Sequence, residues 1–262
     1  MLDALYTAIA WVLKTWHSVF ATFLDPAGGW AWTLSIVFLV ITVRAALTPL
    51  VVRQIRSQRA MQDLRPELAE LRTRFGADRA GLGQAVTALQ RERGVHPLAG
   101  CLPVLLQAPV FISLLHVLRR LAPGRPGLYG WSPDLTQRAA VAKLLGAPIS
   151  SSLSMQEPKR ALVLQLTDGS STGIRVVALL LIVLMCATTF ATQKLLQRRS
   201  GPVEGQAAMV QKLLLYGMPV GLAVSGALFP IGVLLYWTTN NLWTLGQQFV
   251  LLRRPPSPGG RD

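Results

Sequence analysis

No aspartate or glutamate falls in any long apolar stretch of this 262-residue chain, which holds 12 acidic residues against 26 Lys and Arg. Without a carboxylate inside a span, a proton-relay transporter or an intramembrane aspartyl protease lacks its central group. Cysteine is nearly absent. Cys101 and Cys186 lie in separate apolar stretches with no CxxC spacing, so neither a zinc site nor a thiol redox pair is indicated and no disulfide is forced. His17, His96 and His116 fall in three different regions with no carboxylate at ligand spacing, which argues against a metal cluster. An intramembrane serine protease would need a nucleophile and base pair that the spans do not offer. No catalytic activity and no cofactor are expected.

What is abundant is apolar. With 51% hydrophobic and 15% charged residues and a mean hydropathy of +0.41, the chain suits an integral membrane protein better than a soluble domain. Residues 213–252 carry no formal charge. As one helix they would extend about 60 Å, twice the ~30 Å of a bilayer core, so they must fold back once. The break is legible at SGALFP, residues 225–230, where Gly226 and Pro230 loosen the helix and Pro230 suits the first turn of the next. The expectation is an all-α integral membrane protein. Its core, residues 30–252, has five spans at about 30–52, 97–118, 174–196, 211–226 and 229–251, and a short tail follows at 253–262.

Lys and Arg orient those spans. Residues 53–96 hold nine Arg, 194–212 four Lys/Arg and the tail three, whereas the first 29 residues hold only Lys14. Cytoplasmic loops retain positive charge, so the N-terminus is expected outside and the tail inside. The eight Lys/Arg between residues 119 and 175 run against this, in a loop long enough for the rule to lose force. The net charge of +14 flanks spans, where topology and anionic headgroups account for it, and DNA is not an expected partner.

Residues 1–29 have no basic n-region and carry Lys14 where a signal core should be apolar. Read as a helix, Asp3, Thr7, Lys14 and Ser18 fall on one side, and Leu5, Ile9, Val12, Trp16 and Phe20 on the other. This suits an external interfacial helix, with a sixth span tolerating Lys14 as the open alternative. In residues 53–96, Met61, Leu64, Leu68, Leu71 and Phe75 repeat at three and four. Gly76-Ala77-Asp78 breaks the run, and Leu82, Val86 and Leu89 resume it. This is a helical hairpin, with Pro66-Glu67 as a restart. It is either a solvated hairpin held by its apolar stripe or a cytoplasmic docking element. In the second case Arg53, Arg56, Arg59, Arg65, Arg72 and Arg74 are the candidate surface. The external loop, 119–173, is rich in Gly, Pro and Ser, with one short helix expected around 135–145.

The distinctive group is Arg44, the single charge of the first span. Arginine at a helix centre costs about 2.5–3.5 kcal/mol on insertion scales, so it normally faces water, a partner or an interior. Arg44 lies eight residues before Val52, about 12 Å by helical rise, and snorkelling is one reading. The other is a water-filled cavity open to the cytoplasm, with Gln107 and the polar side of the last span, Tyr236, Thr239, Asn240 and Gln247, as candidate walls. Gln and Asn in spans are more often helix-to-helix hydrogen-bond glue. A cation beside neutral polar groups attracts anionic peptide groups and supplies no base.

These residues resemble the YidC/Oxa membrane protein insertases. The first span matches at Arg44 and Pro49-Leu50. The second matches at Pro97, Gly100-Cys101-Leu102-Pro103, Gln107-x-Pro109 and Phe111. The last matches at Phe229-Pro230-x-Gly232, Tyr236-Trp237, Asn241 and Gln247-Gln248. The resemblance implies a five-helix insertase without an energy-coupling site, whose hydrophilic groove is open to cytoplasm and lipid and closed outside. Arg44 is then the groove arginine, Gln107 the second-span glutamine and Trp237 the last-span aromatic, with Tyr236, Asn240 and Asn241 beside them. An acidic, short external tail of a nascent segment is drawn toward Arg44 while its apolar part slides into lipid. The chain departs from the family at His96, where Asn is common, and at Leu115, where an aromatic is. Its outer loop follows the pattern only at Ser132-Pro133-Asp134.

The resemblance implies as partners nascent membrane proteins, the lipid bilayer, the general translocon and, through the basic hairpin rather than the short tail, the ribosome. A bacterial plasma membrane is expected, since no transit peptide is evident, in an organism without an outer-membrane periplasm, since no large extra outer domain is evident, and the core is expected to be a monomer. Two alternatives remain open, a small-solute channel or transporter and a non-inserting assembly factor. The first predicts flux through a continuous pore, and the second makes Arg44 dispensable.

Overall fold

The computed structural model describes residues 2–76, 78–94, 102–121, 127–200 and 205–252. The expected features at His96, Pro97, Gly100 and Cys101, the start of the second span and the tail 253–262 lie outside the described residues. Among those described, ten helices and one two-stranded antiparallel ribbon are formed. They divide into two compact units, residues 1–42 with 112–262, and residues 43–111.

In the larger unit, α1 (Leu2–Phe20) precedes the first part of α2 (Gly29–Asp63). The last part of α5 (Leu102–Arg120) is followed by α6 (Pro133–Val141), β1 (Lys143–Leu144), β2 (Ala147–Pro148) and α7 (Lys159–Thr167). The long helices α8 (Ser171–Ser200), α9 (Gly205–Leu228) and α10 (Ile231–Leu252) complete it. Helix α8 packs against both α9 and α10 and is the spine of this unit. Its inward face carries Ile174, Val177, Ala178, Met185, Thr188, Thr189 and Thr192, while Val176, Leu179, Leu180 and Val183 stay exposed. Helix α9 exposes Met209, Leu213, Tyr216, Val220, Val224 and Leu228. Apolar faces of this extent require a non-aqueous surround. Among the described residues three helical stretches are long and apolar enough to cross a membrane: Gly29–Val52, Ser171–Arg198 and Ala208–Leu228.

The smaller unit holds the rest of α2, then α3 (Arg65–Phe75), α4 (Arg79–Glu92) and the start of α5. Helix α3 ends at Gly76, whose φ of 51° suits glycine, and Asp78 caps α4 by accepting from the Gly81 N–H at 3.0 Å. The two helices pack antiparallel, and Arg93 at the end of α4 reaches Glu67 at the start of α3 at 2.7 Å.

Two expectations need correcting. The helix expected around 135–145 runs from Pro133 to Val141 and is followed by the ribbon, and α7 is a second helix in the same loop. Ser132 starts α6 by accepting from the Leu135 N–H, with Pro133 at the first turn. Leu145 (φ 51°) and Gly146 (φ 79°) both take positive φ, the two-residue hairpin geometry for which Leu-Gly is a poor signal. The buried line of α1 is Tyr6, Ile9, Ala10, Leu13 and His17, whereas Leu5, Val12, Trp16 and Phe20 are only half-buried. His17 can sit inside because its ring stacks on Trp32 at 4.0 Å and its Nε2–H donates to the Pro26 carbonyl at 2.9 Å. Burial pushes the His17 pKa down, which keeps the ring neutral.

The ribbon ties the unit together. Gly146 O accepts from Ser170 N–H ahead of α8, and the following residues accept from α10: Ile231 N–H donates to Ser151 O at 2.9 Å and Gly232 N–H to Ile149 O at 3.0 Å. Donors at the start of α10 that its own helix cannot use are thus satisfied by loop carbonyls. At the start of α2, a Cβ on Gly29 would collide with the Lys143 carbonyl. Gly29→Ala is therefore expected to cost about 1–3 kcal/mol. Gly221→Ala, whose added methyl meets nothing within 4 Å, should be near neutral. Thermal unfolding in detergent compares the two, and equal midpoints would show that the α2–β1 approach tolerates a methyl group.

Candidate functional site

In the smaller unit, Arg44 is 8% exposed while Ala45, Ala46 and Pro49 beside it on α2 are open. Thr48 Oγ1 donates to the Arg44 carbonyl at 2.8 Å, one turn back in the helix. Lys and Arg are almost never buried to this degree unless their charge is met. Gln107 belongs to α5, and its side chain, like those of Arg53, Arg56, Arg59 and Arg65, lies outside the described part. Arg72 and Arg74 are exposed on α3. On α4, Arg79, Gly83, Gln84, Thr87 and Arg91 line a shallow basic depression. The Arg93–Glu67 pair that joins the two helices is largely solvated and contributes at most about 1 kcal/mol.

In the larger unit, α10 carries the remaining candidates on different sides. Tyr236 is 1% exposed. Asn240 and Gln247 follow it along one side and are half-buried, and Thr244 Oγ1 donates to the Asn240 carbonyl at 2.9 Å. Asn241 faces α8, where its Nδ2 donates to Thr189 Oγ1 at 2.8 Å, with the Met185 carbonyl at 3.4 Å. Thr238 makes a parallel contact to the Leu181 carbonyl at 3.4 Å. Asn241 is therefore helix-to-helix cement. Trp237 is half-buried and meets Phe229 edge-on at 5.4 Å between ring centres. The Arg119 guanidinium lies over that Phe229 ring at 5.5 Å.

The structure thus brings Tyr236, Trp237, Asn240 and Asn241 onto one helix of the larger unit, with Arg44 and Gln107 in the smaller one. Two features escape a reading by composition. The buried threonines of α8, Thr188, Thr189 and Thr192, sit in a run that scores as an ordinary span. Arg119 follows a span as any interfacial arginine does, and only the fold sets it over Phe229. Cys186 gives its thiol proton to the Pro219 carbonyl at 3.3 Å, an acceptor on α9, which is a packing role. Among the described residues no cluster of His, Cys, Asp and Glu could hold a metal ion.

Residues 23–257 match the family model described as 60Kd inner membrane protein. A membrane protein insertase YidC of Streptomyces avermitilis is 40% identical over 97% of this chain and 58% of its own length. The protein of that name from Mycobacterium tuberculosis is 37% identical over 94% of this chain and 71% of its length, and that of Tropheryma whipplei 32% over 96% and 84%. The chain therefore spans little more than half of the Streptomyces relative.

The Asn241–Thr189 bond yields a direct check. Asn241→Ala and Thr189→Ala should each destabilise by roughly 0.5–1.5 kcal/mol and combine with a coupling on the order of 0.6 kcal/mol. Additive unfolding free energies in a double-mutant cycle would mean that the contact contributes nothing.

Proposed function

Because the chain belongs to the 60Kd inner membrane protein family, we propose that it is a membrane protein insertase and chaperone, working without catalysis or cofactor. The observation that carries this is Arg44, a permanently charged group buried in the acid-free apolar stretch Gly29–Val52 of α2. In this reading α2, α5, α8, α9 and α10 are five spans, α1 lies on the outer interface, and the α3–α4 hairpin and tail are cytoplasmic. Arg44 is the charge of a hydrophilic groove open to cytoplasm and lipid. Gln107, Tyr236, Trp237 and Asn240 are its candidate walls, with Asn241 holding α10 against α8.

The physics of insertion supports the assignment. Moving a polar tail through hydrocarbon costs several kcal/mol per uncompensated group. A wet path partway across shortens that barrier, and a cation in low dielectric attracts carboxylates over a longer range than in water. Substrates are nascent membrane proteins, above all single-span ones with short acidic external tails. The exposed arginines of the hairpin, Arg72 and Arg74 among them, are the surface for a ribosome, and the translocon is an optional partner. The protein acts as a monomer in a bacterial plasma membrane, N-terminus outside and C-terminus in the cytoplasm. The excess of basic residues in 53–96 and 194–212 supports that orientation.

The test is insertion of a single-span protein with a short acidic tail into liposomes holding wild type, Arg44→Ala or Arg44→Lys, scored by protease protection of the tail. Wild type and Lys should protect it, and Ala should lose about tenfold, the equivalent of one interaction of about 1.4 kcal/mol. No protection above empty liposomes with wild type contradicts the reading, as does solute flux through the protein without substrate.

A further inference from the structure

The cluster that begins at the end of α5 adds a residue to this site. Arg119 is exposed, yet its guanidinium is seated over Phe229 at 5.5 Å. Phe229 in turn stands edge-on to Trp237 at 5.4 Å and 66° between planes. The ring is held in place from both sides. It sits in the two-residue joint between α9 and α10, where Ser154 N–H donates to the Ala227 carbonyl and Ile231 N–H to the Ser151 carbonyl. A guanidinium held over a ring by cation–π attraction keeps its five N–H donors, and an exposed one can offer two of them to a carboxylate in parallel bonds.

Two of the three acids of the outer loop are paired with other residues. Among the described residues Arg119 makes no ion pair, whereas Asp134 is taken by Arg138 at 2.9 Å and Asp168 by Lys143 at 3.6 Å. The segment from Arg119 to Arg175 holds eight Lys/Arg and three acids, an excess that external topology alone does not call for. A braced, exposed cation next to the proposed groove aromatic is what an emerging carboxylate would meet.

We propose that Arg119, braced by Phe229 beside Trp237, is a specificity-determining residue that receives the acidic residues of a substrate's external tail as they leave the groove. This rests on the insertase reading. It adds to that reading a second cation acting on the same tails, on the side to which they are delivered. An aromatic brace holds the long side chain in one orientation before the tail arrives, so less rotamer entropy is lost on contact.

The experiment uses the full chain in liposomes and two single-span substrates that differ only in the external tail, one carrying Asp and Glu and the other Asn and Gln. Protease protection gives the acidic-to-neutral ratio for wild type, Arg119→Lys, Arg119→Gln and Arg119→Glu. The ratio should hold for Lys, fall about threefold for Gln and fall further for Glu, as expected for a charge contact at a partly solvated site. The neutral tail reports on folding, because a variant that is merely damaged loses both substrates together and leaves the ratio unchanged.

An unchanged ratio in all four proteins, with wild type still inserting, overturns the proposal and leaves the insertase reading intact. A deficit that disappears in vesicles made only of zwitterionic lipid also overturns it, since Arg119 would then be answering an anionic headgroup. Absence of insertion by wild type with either tail overturns both.

Discussion

A guanidinium cannot shed its proton at any pH a cell reaches, so Arg44 fixes a charge at a point in α2 where the sequence on both sides is apolar. The remaining polar inventory is consistent with tolerating that charge rather than cancelling it. No span carries a carboxylate, and the neutral polar groups there are mainly amides, hydroxyls and indoles, with His116 in the second span. Such groups solvate a cation or an incoming anion. In the insertase reading this is the working condition, because a carboxylate partner within the spans would compete with the substrate for the same charge.

In the proposed reading a wet groove needs a closed far side, and the backbone chemistry of the larger unit is compatible with one. The joint between α9 and α10 is stitched to the loop by three backbone hydrogen bonds, from Ser154, Ile231 and Gly232. The ribbon β1–β2 links the same loop to the starts of α2 and α8 through the close approach at Gly29 and the Ser170–Gly146 bond. Below this seam, α10 is held to α8 by Asn241 on Thr189 and by Thr238 on the Leu181 carbonyl. Polar contacts of this kind fix helix register where hydrophobic packing alone is indifferent to it. The outward faces of α8 and α9 present exposed Val, Leu and Met to the surround.

Much of this was legible in the sequence, where one periodicity dominates. The long apolar stretches and the break before Pro230 follow from helix length and proline chemistry. Composition could not say which polar residue of a span faces which neighbour. Asn240 and Asn241 differ by 100° around the helix, and only the packing on α8 assigns the second to the interior contact. The outer loop was read least well, because its hairpin turns on Leu145 in a backbone region that leucine seldom adopts, and its α7 follows Pro158, which has no capping side chain. The face of α1 was misplaced by about one residue, since His17 was given no place on the apolar side although stacking and a carbonyl acceptor allow it to be buried.

The central claim is that water reaches the polar side of α10 from the cytoplasm and not from outside. A single cysteine at Asn240, in a background with Cys101 and Cys186 replaced by serine, can be probed with a membrane-impermeant maleimide in vesicles of either orientation. Labelling only when the cytoplasmic face is exposed to reagent is the predicted result. Labelling from both faces, as in a continuous pore, or from neither, as in a dry bundle, would contradict it.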